Sequence, residues 1–193
     1  VSCTENTGTL TRNEMVVTEV ATAGQVFDVA GDGYSPEGAI TLDGAAAPKT
    51  EALKDLALAA GRCNDASLVQ SDDSWNVNGD PMEGALLALS AKAGEDTTTR
   101  SDVIPFDSRT RFMATLDRSS DGNVVALVKG APEQILAMAQ DQITEDGDTE
   151  PIDPLRWSQI EDSYTSKGRR VLAMAHRKKD PATTEISHAD IDG

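Results

Sequence analysis

No stretch of the sequence approaches the ~20 consecutive apolar residues that a membrane-spanning helix requires, and the N-terminus lacks the basic-then-apolar order of a signal peptide. The chain is therefore expected to make no direct membrane contact. Cysteine is scarce as well: Cys3 and Cys63 are too few for a disulfide framework and lack the paired spacing of a zinc site. His176 and His188 add no metal cluster, and a reducing compartment is the default. Aromatic residues are 4% of the chain against 38% hydrophobic, so the core must rest on Ala, Leu, Val, Ile and Met. Positive charge is also short. A net charge of -16 argues against a general nucleic-acid or anionic-membrane surface, because the summed field repels polyanions. Any anion must be held by a local basic pocket.

What is present fits one domain with short flanking arms, since 193 residues can bury a sizeable core. Glu14 to Val20 and Gln25 to Val29 mix branched apolar with polar residues around Ala23-Gly24, which reads as strand, turn and strand. Gly31 to Gly38 is dense in turn formers and predicts a loop. Helical spacing of apolar positions predicts helices from Pro48 to Ala60 and from Pro81 to Ala93, each followed by glycine. Arg111 to Leu116 and Asn123 to Val128 flank Ser119-Ser-Asp-Gly122 as a hairpin. Pro132 opens a helix through Met138, Asp141 to Pro154 is an acidic loop, and Asp153-Pro154 opens a further helix closed by Gly168. Arg170 to Ala175 reads as a short buried strand before a polar arm. Hairpins without a regular βαβ rhythm predict the α+β class, an antiparallel sheet flanked by helices.

Five segments offer chemistry, and each also has an ordinary structural account. Cys3-Thr-Glu-Asn-Thr-Gly-Thr-Leu-Thr11 could expose backbone amides to a phosphate, or be a polar turn. Gly79-Asp-Pro-Met-Glu83 is by itself a helix start, with proline in the first turn and acids at the positive end of the dipole. In Pro105-Phe-Asp-Ser-Arg-Thr-Arg-Phe-Met113, Phe106 could stack on a base while Arg109 or Arg111 meets phosphate; alternatively Phe106 and Phe112 are core residues and the arginines solvated. Lys129-Gly-Ala-Pro-Glu133 puts a lysine at a strand end beside Gly130, which would let a ligand come close, although by residue type alone a surface lysine before a helix is the better account. Gly168-Arg-Arg-Val-Leu-Ala173 carries an arginine pair suited to a strand edge.

Taken in order, these segments resemble the P-type cation-transporting ATPases. The first is similar to their phosphorylation signature, Cys-Ser-Asp-Lys-Thr-Gly-Thr-Leu-Thr, and Lys129 to Glu133 matches their Lys-Gly-Ala-Pro-Glu motif. Gly33 to Gly38 and Cys63-Asn-Asp65 look most like the calcium-pump branch. The resemblance implies the nucleotide-binding domain of such a pump, on the cytoplasmic face of a membrane, at residues 13 to 176. Residues 1 to 12 and 177 to 193 would be arms leading to the missing phosphorylation domain. It also implies ATP as ligand, with Mg2+ in the parent enzyme, and the parent's own phosphorylation, actuator and transmembrane domains as partners. By the same resemblance Phe106 stacks on adenine, Glu83 faces the base amino group, Lys129 and Met113 line the pocket, and Arg111 and Arg170 lie near the phosphates. Glu5 stands where the family's phosphate-accepting aspartate would be, and Asn6 replaces its lysine. The extra methylene of a glutamate displaces the nucleophilic oxygen, and a misplacement of about 1 Å can cost on the order of 100-fold, so Glu5 is expected not to be phosphorylated and the fragment to bind ATP without full catalysis. An acidic interaction module that keeps the fold without binding ATP is the alternative.

Overall fold

The computed structural model describes residues 2–5, 14–71, 74–94 and 98–191. Its first part is a run of short antiparallel strands: β1 (Ser2–Glu5), β2 (Met15–Ala21), β3 (Val26–Val29), β4 (Ile40–Leu42) and β5 (Ala45–Ala46). Helix α1 (Glu51–Arg62) follows, then the hairpin β6 (Ser67–Ser71) and β7 (Ser74–Asn78), and helix α2 (Pro81–Ala93). The chain continues through β8 (Thr98–Asp107), β9 (Phe112–Ser119), β10 (Val124–Gly130), α3 (Pro132–Met138), β11 (Asp141–Ile143), β12 (Thr149–Pro151), α4 (Pro154–Thr165), β13 (Arg170–Val171) and β14 (Ala173–Lys179). The fold is α+β with antiparallel sheets, as the pattern of hairpins and helices implies.

Two sheets organise the molecule. One has six strands in the order β13-β1-β2-β3-β4-β5, the other four in the order β14-β10-β9-β8. Helices α1 and α2 lie between them. Leu53 and Ala60 of α1 and Leu86 and Leu89 of α2 pack on Val17, Val20 and Phe27 of the first sheet, while Ala59 of α1 and Cys63 just after it meet Met113 and Leu127 of the second. Helix α2 is therefore apolar on most sides, and Gly84 is there for space: a Cβ would stand 2.4 Å from the Val77 side chain. The far face of the second sheet carries Ile104, Ala114, Leu116, Ala126 and Val128 under Ile135 of α3. Among the described residues no helix is long and apolar enough to cross a membrane.

The helix boundaries follow from their caps. Asp80 accepts from the amides of Met82 and Glu83, Pro81 sits in the first turn, and Gly94 closes α2 in the left-handed region at φ 77°, giving the span the sequence predicts. Helix α1 starts later than Pro48 because the Thr50 side chain caps it by accepting from Leu53 N–H. Other expectations need correction. The acidic stretch after Asp141 is not a plain loop, because β11 and β12 pair within it. The strand expected from Arg170 to Ala175 is two strands in different sheets, with Arg170 paired to Cys3 and Ala173 paired to Gly130. Both expected arms are tied to the domain: β1 pairs with β2 and β13, β14 extends to Lys179, and Ile186 and Ile191 are buried against the second sheet.

Candidate functional site

The strand periodicity of two sorts the second sheet into two faces. Met113, Thr115 and Asp117 of β9 and Val125, Leu127 and Lys129 of β10 point toward α1 and α2, whereas Phe112, Ala114 and Leu116 point toward α3. Lys129 is opposite Met113 on one side and Met174 on the other. Strand β8 carries a bulge at this level. Ile104 pairs with Ala114 and Asp107 with Phe112, so Pro105 and Phe106 together oppose Met113. Phe106, Met113 and Lys129 thus fall in one row across three strands.

Their exposures differ sharply. Met113 is 1% exposed and Lys129 4%, whereas the Phe106 ring is 63% exposed. Phe112 is buried and meets His188 edge-on, so of the two phenylalanines only Phe112 is a core residue.

Lys129 does not stand alone. Its ammonium donates to Glu83 Oε1 at 2.7 Å, and the second oxygen, Oε2, accepts from the Asp65 amide at 3.1 Å. Burying an ammonium costs several kcal/mol unless a close acid neutralises it, and Glu83, three residues into α2, is that acid. Thr115 and Asp117 continue the polar strip, with the threonine hydroxyl donating to the carboxylate at 2.6 Å. Cys63 lies against it, fully buried, and desolvation pushes its thiol up to about 12. That thiol is inert at neutral pH.

Arg111 and Gly130 lie at the same end of the sheet, and Arg170 lies on β13 of the other sheet. Arg111 takes a positive φ of 58° in the tight connection between β8 and β9, and its guanidinium pairs with Glu133 at the start of α3. Gly130 pairs with Phe112, and a Cβ there would meet the Arg111 carbonyl at 2.5 Å and Phe112 Cβ at 2.7 Å. The small residue expected to admit a ligand is therefore needed by the chain's own turn. Arg170 is exposed on β13, three residues before Ala173, which is about 10 Å along an extended chain. Its neighbour Arg169 is committed elsewhere, ion-paired with Glu19 and placed over the Tyr164 ring.

Arg109, the other arginine of the segment, is bound to Asp107 at 2.7 Å, and that hydrogen bond holds the Asp107 carboxyl down at about 2. Arg109 with Gln134, Met138 and His188 lines a cleft of about 390 Å³ on the α3 side, away from Lys129. Glu5 belongs to β1 and is paired with Met15; Asn6 lies outside the described residues. The sequence reading missed the role of Asn64, Asp65 and Arg100, which tie the end of α1 to Glu83. The resemblance had marked Cys63-Asn-Asp65, but without a role for its side chains.

Residues 52–191 match the family described as P-type ATPase, cytoplasmic domain N, and the chain belongs to that family. It is 36% identical over an alignment of 209 positions to the cation-transporting ATPase pma1 of Synechocystis, which takes in 100% of this chain and 22% of that protein. Against the probable cation-transporting ATPase F of Mycobacterium tuberculosis it is 38% identical over 182 positions, 90% of this chain and 20% of the relative. The calcium-transporting ATPase of Bacillus subtilis is 30% identical over 204 positions, 100% of this chain and 23% of the relative. The chain spans about a fifth of the length of these relatives.

Proposed function

We propose that this chain holds ATP for a cation-transporting P-type ATPase, positioning it for transfer of the terminal phosphate to an aspartate in the parent protein. The observation that carries the reading is the exposed Phe106 ring, set by a strand bulge at the end of the Met113 and Lys129 row. Adenine stacks on Phe106, with Met113 beneath as a soft apolar floor. Glu83 accepts from the base amino group, and Lys129 neutralises the carboxylate so that the pocket wall carries no net charge into an already acidic domain. Arg111 and Arg170 face the phosphates. The acid is thereby kept at the base end of the nucleotide and the two arginines at the phosphate end.

The chain binds and orients but does not accept phosphate: Glu5 is not phosphorylated. Mg2+ accompanies the triphosphate in the parent enzyme. The phosphorylation, actuator and transmembrane domains of the same parent chain complete the machine. Titration with ATP and with GTP, followed by amide shifts, tests the reading. ATP-preferring binding that is lost in Phe106→Ala supports it; no binding at millimolar ATP contradicts it and leaves an acidic interaction module.

A further inference from the structure

The turn after α1 is tied to the pocket wall through a side chain that lies on neither. Arg100 of β8 donates from Nη1 to Asp65 Oδ1 at 2.7 Å and from Nη2 to the carbonyl of Arg62 at 2.9 Å and to that of Asn64. Asn64, buried, donates from Nδ2 to the carbonyl of Ala60 at 3.1 Å and to that of Glu83 at 2.9 Å, and accepts from the Ala66 amide at 2.9 Å. The turn so held directs the Asp65 amide at Glu83 Oε2, while Lys129 takes Oε1. The contacts form one path, from Arg100 through residues 62–65 to the Glu83 carboxylate.

Only a planar guanidinium can serve three acceptors in this way; a lysine is a point charge on a flexible stem. With one donor on each oxygen, the Glu83 carboxylate plane is fixed, and each oxygen keeps a lone-pair direction for one more donor. An ionised carboxylate only accepts, so a fixed one favours a base edge that presents an amino group and disfavours one that presents a carbonyl. A carboxylate free to turn would still repel a carbonyl but would hold the amino group less well.

We infer that Arg100 is a positioning residue for purine choice: by clamping the Arg62 to Asp65 turn it fixes Glu83 to read an adenine amino group. The inference rests on the ATP-binding reading proposed above. It is tested by calorimetric titration of ATP and GTP into the 193-residue chain for the wild type, Arg100→Ala, Arg100→Lys and Asp65→Asn, with melting curves alongside. The wild type should prefer ATP. Arg100→Ala should lower the ATP-to-GTP affinity ratio by roughly tenfold, through ATP alone, and Arg100→Lys should recover only part of it. Asp65→Asn keeps the amide but weakens the clamp at an exposed side chain, and should move the ratio in the same direction by less. General structural damage weakens both nucleotides alike and leaves the ratio intact. A wild-type ratio retained in folded Arg100→Ala overturns the clamp; if that variant does not fold, a wild-type ratio in Asp65→Asn does so. A wild type that binds no ATP, or does not prefer it, refutes the ATP reading itself and the clamp with it.

Discussion

The two faces of the four-stranded sheet are made by alternate residues of the same strands, yet they are different kinds of surface. Toward α3, Ile104, Ala114, Leu116, Ala126 and Val128 form a dry core that Ile135, Ile186 and Ile191 complete. Toward α1 and α2, the corresponding positions include Thr115, Asp117 and Lys129, all buried, with Glu83 brought down from α2 to meet the lysine. A core of similar volume could have been apolar at less cost. The buried polar groups set that face, where the proposed nucleotide site lies, apart from the apolar one.

The contrast can be broken most severely at Lys129. Lys129→Ala leaves the Glu83 carboxylate without its counterion and should destabilise the domain by about 3–5 kcal/mol, whereas Lys129→Met with Glu83→Gln should recover most of the loss; denaturant melts of the two variants beside the wild type decide. On the dry face, Leu116→Ala should cost about 3 kcal/mol through the cavity it opens, with ATP affinity unchanged in protein that is still folded. Gly130→Ala forces a methyl against the Arg111 carbonyl and Phe112 and should cost about 2 kcal/mol, the usual range for overpacking, while shifting the amides of the connection between β8 and β9.

Phe106→Ala sharpens the comparison from the other side. An exposed ring contributes little to stability, so the melt should move by less than about 0.5 kcal/mol, while loss of a stacking partner should weaken ATP by roughly tenfold. The smallest effect belongs to Asp107. Its carboxyl is held down at about 2 by Arg109, so any support it gives the fold is present above the unfolded-state value near about 4 and is lost as pH falls toward 2. The gap between melting temperatures of the wild type and Asp107→Asn should close across that interval.

Much of this was legible in the sequence because local chemistry set it. Asp80, Pro81 and Gly94 bracket α2 by capping alone, and Pro132 and Pro154 open α3 and α4. The β6–β7 and β11–β12 hairpins were not foreseen: their strands are short and mostly exposed, and the one clear alternation, Ser-Trp-Asn-Val-Asn in β7, spans only five residues. The splitting of the strand after Gly168 between two sheets depends on long-range pairing, with Cys3 on one side and Gly130 on the other. At the site, the motifs named Phe106, Lys129 and Glu83, but periodicity carried no sign that the last two bind each other. Nor did any local pattern connect Arg100 with Asn64, 36 positions away.

The central claim is that nucleotide meets the polar face and not the dry one, and amide shift mapping during an ATP titration tests it most directly. The account predicts the largest shifts at Phe106, Met113, Lys129, Glu83 and Asp65, with Ala126, Ile135 and Ile186 still. Largest shifts around Arg109, Met138 and His188, in the cleft beneath α3, would contradict it.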